Sequence, residues 1–168
     1  YHYLTGMKVF NLRLPMIFSI PEKNWYYAHG EKKIIPFLSI IRDAMSGTRL
    51  EVWGDKNMKR DYVHMDNLLQ MINLCLTTEL TAGIFNVGTG EAVTTEDFIR
   101  TVAEVFSPHG ENCEIIYRPH NKTYKCTSYD ISTEHDQLGY DPIYLREMLI
   151  RLKDDIIKTN IFKKWDWK

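Results

Sequence analysis

The sequence predicts an α/β protein, on three observations. Short strand-like runs alternate with stretches whose apolar residues recur at helical spacing. The two kinds of signal interleave along the chain instead of segregating, as they do in layered α/β structures. The 168 residues are 44% hydrophobic and 26% charged, the balance of a globular chain long enough to bury a core.

The elements follow in order. Met7 to Leu14 alternates weakly and stops at Pro15, as a buried strand would. Met16 to Gly30 carries Pro21, Trp25, Tyr26, Tyr27 and His29, and reads as a long irregular loop of the kind that is more often functional than connective. Ile34, Leu38, Ile41 and Met45 recur at helical spacing, with Gly47 as the stop. Leu50–Trp53 and Arg60–His64 read as two strands of a hairpin joined through Gly54-Asp55. Leu50 and Val52 share one face, Glu51 and Trp53 the other. In the second run Arg60, Tyr62 and His64 oppose Asp61, Val63 and Met65. On periodicity alone this is an ordinary hairpin with a solvated arginine. A lone arginine near an indole is also what a phosphate and a flat base require.

Asp66 is placed to cap a helix with Leu69, Ile72 and Leu76 on its inner face. The apolar stretch Met71 to Leu76, broken only by Asn73, implies packing on more than one side. Gly83 to Val87 is a short strand. Thr94 with Asp97 three residues on opens a helix whose inner face is Phe98, Val102, Ala103 and Phe106. Glu114 to Tyr117 reads as a strand, Arg118 to Tyr129 as a polar loop and Ile131 to Leu138 as a short helix. Leu145, Met148, Leu149, Leu152 and Ile156 stripe the last long helix. The basic, aromatic tail Phe162–Lys168 suits a core-docked or frayed terminus better than a membrane or nucleotide contact.

A net charge of −1 gives no general attraction to nucleic acid or anionic membrane. No apolar run approaches 18 residues, so a soluble, cytoplasmic protein is expected. Cys75, Cys113 and Cys126 are odd in number and lack C-x-x-C spacing, which suits reduced thiols, with Cys75 in the core. The six histidines form no i, i+4 or H-x-H pair, and zinc is not expected. No G-x-S-x-G or Cys-His pattern supports nucleophilic hydrolysis. Gly88-Thr89-Gly90 lacks the third glycine of a dinucleotide loop, Val93 standing there, and reads as a structural turn.

Residues 50–66, Leu-Glu-Val-Trp-Gly-Asp through Arg-Asp-Tyr-Val-His-Met-Asp, resemble the L-x-I-(Y/F/W)-G-(D/N)…R-D-(Y/F)-(V/I)-(H/Y)-V-x-D signature of extended short-chain dehydrogenases/reductases. This is the NAD-dependent nucleotide-sugar epimerase/dehydratase family, UDP-glucose 4-epimerase-like. Flanking matches come in the right order. Leu12–Ser19 resembles L-R-x-x-N-V-Y-G, Phe85–Glu91 resembles Y-N-(I/V)-G-(S/T)-G-(E/Q), Tyr117-Arg118-Pro119 resembles the opening of R-P-x-D, and Leu138–Pro142 resembles L-G-(W/Y)-x-P.

The resemblance implies the last strands of a Rossmann-type parallel sheet plus the small C-terminal substrate-binding lobe. It spans residues 1–168 as one partial domain, with the N-terminal NAD-binding half absent. The start at Tyr1, not Met, agrees with that expectation. It further implies that Arg60 and Arg118 together hold the diphosphate of a nucleoside-diphosphate sugar, because a guanidinium fork meets phosphate oxygens bidentately. Trp53 and Glu51 are expected near the base, Lys33 and Ile34 at the nucleotide, and Met16 and Asn121 at the sugar and phosphate positions. Pro15 is expected to approach the nicotinamide of NAD or NADP. Neither nucleic acid nor membrane is an expected partner, and a homodimer of the full-length enzyme is compatible with the family.

Met16 stands for the family's asparagine, Ser19 for a glycine and Asn121 for an aspartate. The family's G-x-x-G-x-x-G fingerprint and its Tyr-x-x-x-Lys are not in this sequence, so the chain alone is expected to be inactive. Two other readings stay open, a non-catalytic nucleotide-binding or scaffold relative and an unrelated small α/β module.

Overall fold

A computed structural model describes residues 2–121 and 128–167. Cys126 and half of the expected 118–129 loop, residues 122–127, fall outside the described residues. The chain divides into two compact units, each assembled from three separate segments.

The first unit comprises Tyr1–Phe18, Lys59–Val93 and Lys125–Leu145. Its strand Val9–Arg13 runs parallel to Ala82–Asn86, Leu12 standing opposite Phe85. Met16–Phe18 runs parallel to Tyr62–His64, with Met16 opposite Tyr62. Both pairs are parallel, as in the Rossmann-type sheet that the family resemblance implies. Val63, Met71, Cys75, Phe85, Val87, Leu138 and Tyr140 form one buried cluster, with Phe10 and Leu12 packed against it.

The helix Met65–Thr77 corrects the expected face. Leu69 is 54% exposed, Leu76 73%, and Ile72 is exposed as well; Asn67, Met71 and Cys75 point inward instead. Asn67 explains the phase. Its buried amide donates to Ile143 O and accepts from Ile143 N, both at 3.0 Å, and positions 67, 71 and 75 then share one stripe. A segment apolar on all sides carries no phase of its own, so a polar residue decided it. The cap differs too. His64 is the N-cap, its Nδ1 accepting from Asp66 N at 3.2 Å, and Asp66 lies in the first turn.

The second unit comprises Ser19–Met58, Thr94–Tyr124 and Arg146–Lys168. Helices Pro36–Met45 and Thr95–Phe106 pack on each other and on strand Leu50–Trp53. Leu38, Ile41, Ala44, Val52, Ile99 and Val102 are buried there. Thr94 caps its helix as the sequence predicts, its Oγ1 accepting from Asp97 N at 3.0 Å. The last long helix, Leu145–Thr159, buries Met148, Leu149, Leu152 and Ile156.

Two expectations fail here. Leu50–Trp53 and Tyr62–His64 do not form a hairpin with each other. The former runs parallel to Ile115–Arg118 and the latter to Met16–Phe18. Alternation identifies strands but says nothing of their distant partners. The expected loop 16–30 is instead a short strand followed by an antiparallel hairpin, Trp25–Ala28 with Glu31–Ile34. His29 (φ 54°) and Gly30 (φ 80°) form its two-residue turn. Positive φ at both central positions matches the right-handed twist of the flanking strands. Among the described residues, no helix is long and apolar enough to cross a membrane.

Candidate functional site

In the second unit, strand register assembles the predicted residues. Trp53 stands opposite Arg118, and Glu51 opposite Ile116. Leu50 and Val52 face the core, so Glu51 and Trp53 project the other way. Glu51 therefore lies between its two partners. Trp53 Nε1 donates to Glu51 Oε2 at 2.8 Å, and Arg118 Nε and Nη2 donate to Oε1 at 3.1 and 3.0 Å. The Trp53 bond first, then Arg118, holds the Glu51 carboxyl below its usual range. The pair fixes the plane of the guanidinium while its side chain stays 46% exposed. Asn121 follows on a turn, its N–H donating to Arg118 O at 3.1 Å.

Tyr117, paired with the core-facing Val52, points to the other side of the strands, and with Gly54, Asp55, Lys56 and Pro119 it lines a hollow of about 300 Å³. Tyr117 donates to Glu96 Oε1 at 2.6 Å and accepts from Arg100 Nη2 at 3.1 Å. Arg100 also binds Glu96 Oε1 at 2.8 Å, and Lys56 Nζ reaches Oε2 at 3.1 Å. Lys56 Nζ lies 5.5 Å from the Tyr117 ring centre. Bonds from Tyr117, Arg100 and Lys56 depress the Glu96 carboxyl to about 2, and Glu96 in turn raises Lys56. Cations and anions alternate here, so any anion that binds does so through directed N–H donors and not through a net field.

Sequence reasoning did not single out Lys56, Glu96 and Tyr117. Tyr117 stands directly before Arg118 in the quoted motif, and Lys56 directly after Gly54-Asp55, so adjacency was the available signal. Glu96 offered only its i, i+4 partner Arg100, since Lys56 comes from a turn and Tyr117 from a strand. Lys33 and Ile34 lie on the return strand of the hairpin, Lys33 opposite Tyr26 and within 3.7 Å of Glu31.

The first unit holds Pro15, Met16 and Arg60. Pro15 follows strand Val9–Arg13, and Met16, 46% exposed, opens the next strand. Arg60 ends the two-residue strand Lys59–Arg60. Beside it, Asp61 is 1% exposed and accepts from Thr89 N at 3.0 Å and from Thr89 Oγ1 at 2.6 Å. A Cβ on Gly88 would meet Asp61 Oδ2 at 2.5 Å, so only glycine lets the chain pass this carboxylate. The Tyr140 hydroxyl donates to Gly88 O at 3.0 Å, and burial first, then Asp61, pushes its ionisation up. The 88–90 stretch is thus a structural turn built around Asp61, as its missing third glycine predicts.

Parallel strand pairs interleaved with helices define an α/β protein. Residues 1–88 match the NAD dependent epimerase/dehydratase family, and the chain belongs to that family. It is 26% identical over 158 residues to the dTDP-glucose 4,6-dehydratase of Xanthomonas campestris pv. campestris strain B100, covering 88% of this chain and 44% of that protein. The UDP-glucose 4-epimerase of Thermotoga maritima, solved with UDP-glucose, superposes with a TM-score of 0.71 at 21% identity, over 95% of this chain and 49% of that one. The UDP-glucuronic acid 4-epimerase of Bacillus cereus, solved with UDP-glucuronic acid and NAD, superposes at 0.65 and 20% identity, over 95% and 48%. The two structures establish the fold. The chain spans just under half the length of each of these three relatives.

Proposed function

We propose that this chain is the nucleotide-sugar-holding part of an NAD(P)-dependent epimerase, dehydratase or reductase. The observation that carries the reading is the Trp53–Glu51–Arg118 trio, in which Glu51 holds an Arg118 side chain that stays 46% exposed. Trp53, 52% exposed, offers a flat surface for a base, Glu51 an acceptor for base or ribose N–H and O–H groups, and Arg118 a donor for phosphate. Base stacking on an aromatic contributes about 1–3 kcal/mol. The family resemblance assigns a phosphate contact to Arg60 too, and further contacts to Lys33, Ile34, Met16 and Asn121.

NAD or NADP, when bound, supplies a hydride acceptor and donor for the sugar. This chain's share of that site is the Pro15–Met16 bend after strand Val9–Arg13, a position that suits close backbone approach. It has no glycine fingerprint for a pyrophosphate and no Tyr-x-x-x-Lys for proton transfer, so binding and orienting the nucleotide sugar is its role. A non-catalytic relative is the second reading, favoured by Met16, whose thioether cannot replace the amide hydrogen bond of an asparagine.

The test is calorimetric titration of the intact protein with UDP-glucose and dTDP-glucose. Arg60→Ala and Arg118→Ala should each weaken binding roughly 10- to 100-fold, from about 1.5–3 kcal/mol per charge-assisted bond. Unchanged affinity in both would refute the assignment. NAD reduction or sugar turnover by the intact protein separates enzyme from non-catalytic relative.

A further inference from the structure

The hairpin that carries Lys33 and Ile34 has little support of its own. Its strands of four residues each are paired with one another, and a lone two-stranded hairpin is marginal in water. What holds it is the end of the chain. Asn160, at φ 52°, turns the backbone after the last long helix into the short helix Ile161–Lys164. Phe162, Trp165 and Trp167 then pack their rings together, with centroids 5.1–5.8 Å apart.

From this segment contacts reach the residues just before the hairpin, its return strand and the helix after it. Trp165 Nε1 donates to Glu22 O at 3.3 Å, and Asn24 Nδ2 donates to Asp166 O at 2.8 Å. Lys32 Nζ lies 3.4 Å from the Asp166 carboxylate, and the Arg42 guanidinium sits 4.9 Å from the Trp167 ring centre. Asn24 is 1% exposed. Its carbonyl also accepts from Ile35 N at 2.9 Å, so one buried residue ties the start of the hairpin, its end and the tail together. The register puts Trp25, Tyr27, Lys32 and Ile34 on one face and Tyr26 and Lys33 on the other. The tail engages the Lys32 face, which leaves Lys33 directed away from it.

We propose that Phe162–Trp167 is a strap that fixes the 25–34 hairpin, with Asn24 and Asp166 as positioning residues for the Lys33 contact to a nucleoside diphosphate. The second half of this proposal rests on the nucleotide-binding reading above. The strap acts without touching ligand. It removes the hairpin's alternative conformations, so that binding does not have to order them.

Two measurements on the intact protein test it. Amide hydrogen exchange without ligand should run about tenfold faster at residues 26–34 in Trp167→Ala and in Asn24→Ala, with the helix Thr95–Phe106 unchanged. Trp167→Ala serves if the buried Asn24→Ala fails to fold. Titration with UDP should then show Trp167→Ala weakening affinity about as much as Lys33→Ala, and the double variant no weaker than the weaker single. Unchanged exchange at 26–34 refutes the strap. Faster exchange with intact UDP affinity in Trp167→Ala, while Lys33→Ala weakens binding, refutes the positioning role. Intact affinity in both variants refutes the nucleotide contact of Lys33 and leaves the strap standing on exchange alone.

Discussion

Asp61→Ala should be among the most damaging single substitutions in the chain, although Asp61 is expected to touch no ligand. Its carboxylate, 1% exposed, takes the Thr89 N–H on both oxygens at 3.0 and 3.1 Å and the Thr89 hydroxyl at 2.6 Å. A hydrogen bond to a charged group is worth about 1.5–3 kcal/mol, and an orphaned buried donor costs about 1–3 kcal/mol. The hydroxyl has a second acceptor in Glu91 O at 3.2 Å, so mainly the N–H is orphaned. The expected loss is about 2–4 kcal/mol. A double-mutant cycle with Thr89→Val isolates the hydroxyl bond, read from urea unfolding of the intact protein at pH 7. The coupling should be about 1.5–3 kcal/mol. A coupling below about 0.5 kcal/mol would mean that the 2.6 Å contact stabilises nothing, and the anchoring of the 88–90 turn on Asp61 would be wrong.

Glu96 makes stability depend on acid. Its folded carboxyl titrates at about 2 against an ordinary 4.5, so its contribution is full above the unfolded value and is lost as pH falls from about 4.5 toward 2. Glu96→Gln should flatten that part of the unfolding profile, and an unchanged acid limb would count against the Tyr117–Arg100–Lys56 network. At the hairpin turn, Gly30→Ala places a Cβ at φ 80°. It should cost about 1–2 kcal/mol of local stability, the penalty of a left-handed L-residue, seen as faster amide exchange at residues 26–34. Wild-type exchange there would contradict the two-residue turn.

Local chemistry was legible; long-range pairing was not. The Thr94 cap with Asp97, the helix face Phe98–Phe106 and the outward Glu51 and Trp53 depend on neighbours within a few positions, and the sequence carries them in full. The parallel pairing of Val9–Arg13 with Ala82–Asn86 was reachable because both segments match one family pattern. The partner of Leu50–Trp53 was not, since period-two alternation is the same whether a strand meets its neighbour in a hairpin or a strand from residues 115–118. The helix Met65–Thr77 shows the same limit. Its apolar residues encircle it, and the face was set by one asparagine bonding a backbone far away in sequence. Lys56, Glu96 and Tyr117 stayed hidden because their meeting is purely tertiary. Ala28 and Glu31 flank a His-Gly pair, a weaker hairpin signal than Asn-Gly, which is why 16–30 reads as loop.

The braiding of the two units has a practical consequence for anyone dissecting this protein. One unit takes its pieces from positions 1–18, 59–93 and 125–145, the other from the intervals between and the end. Any truncation point after residue 19 and before residue 145 therefore removes material from both. During synthesis, Val9–Arg13 must wait for Ala82–Asn86 to leave the ribosome before it can zip, a delay that slows folding and leaves sticky edges uncovered. Point substitutions, not deletions, are the instrument that will separate one unit's contribution from the other's.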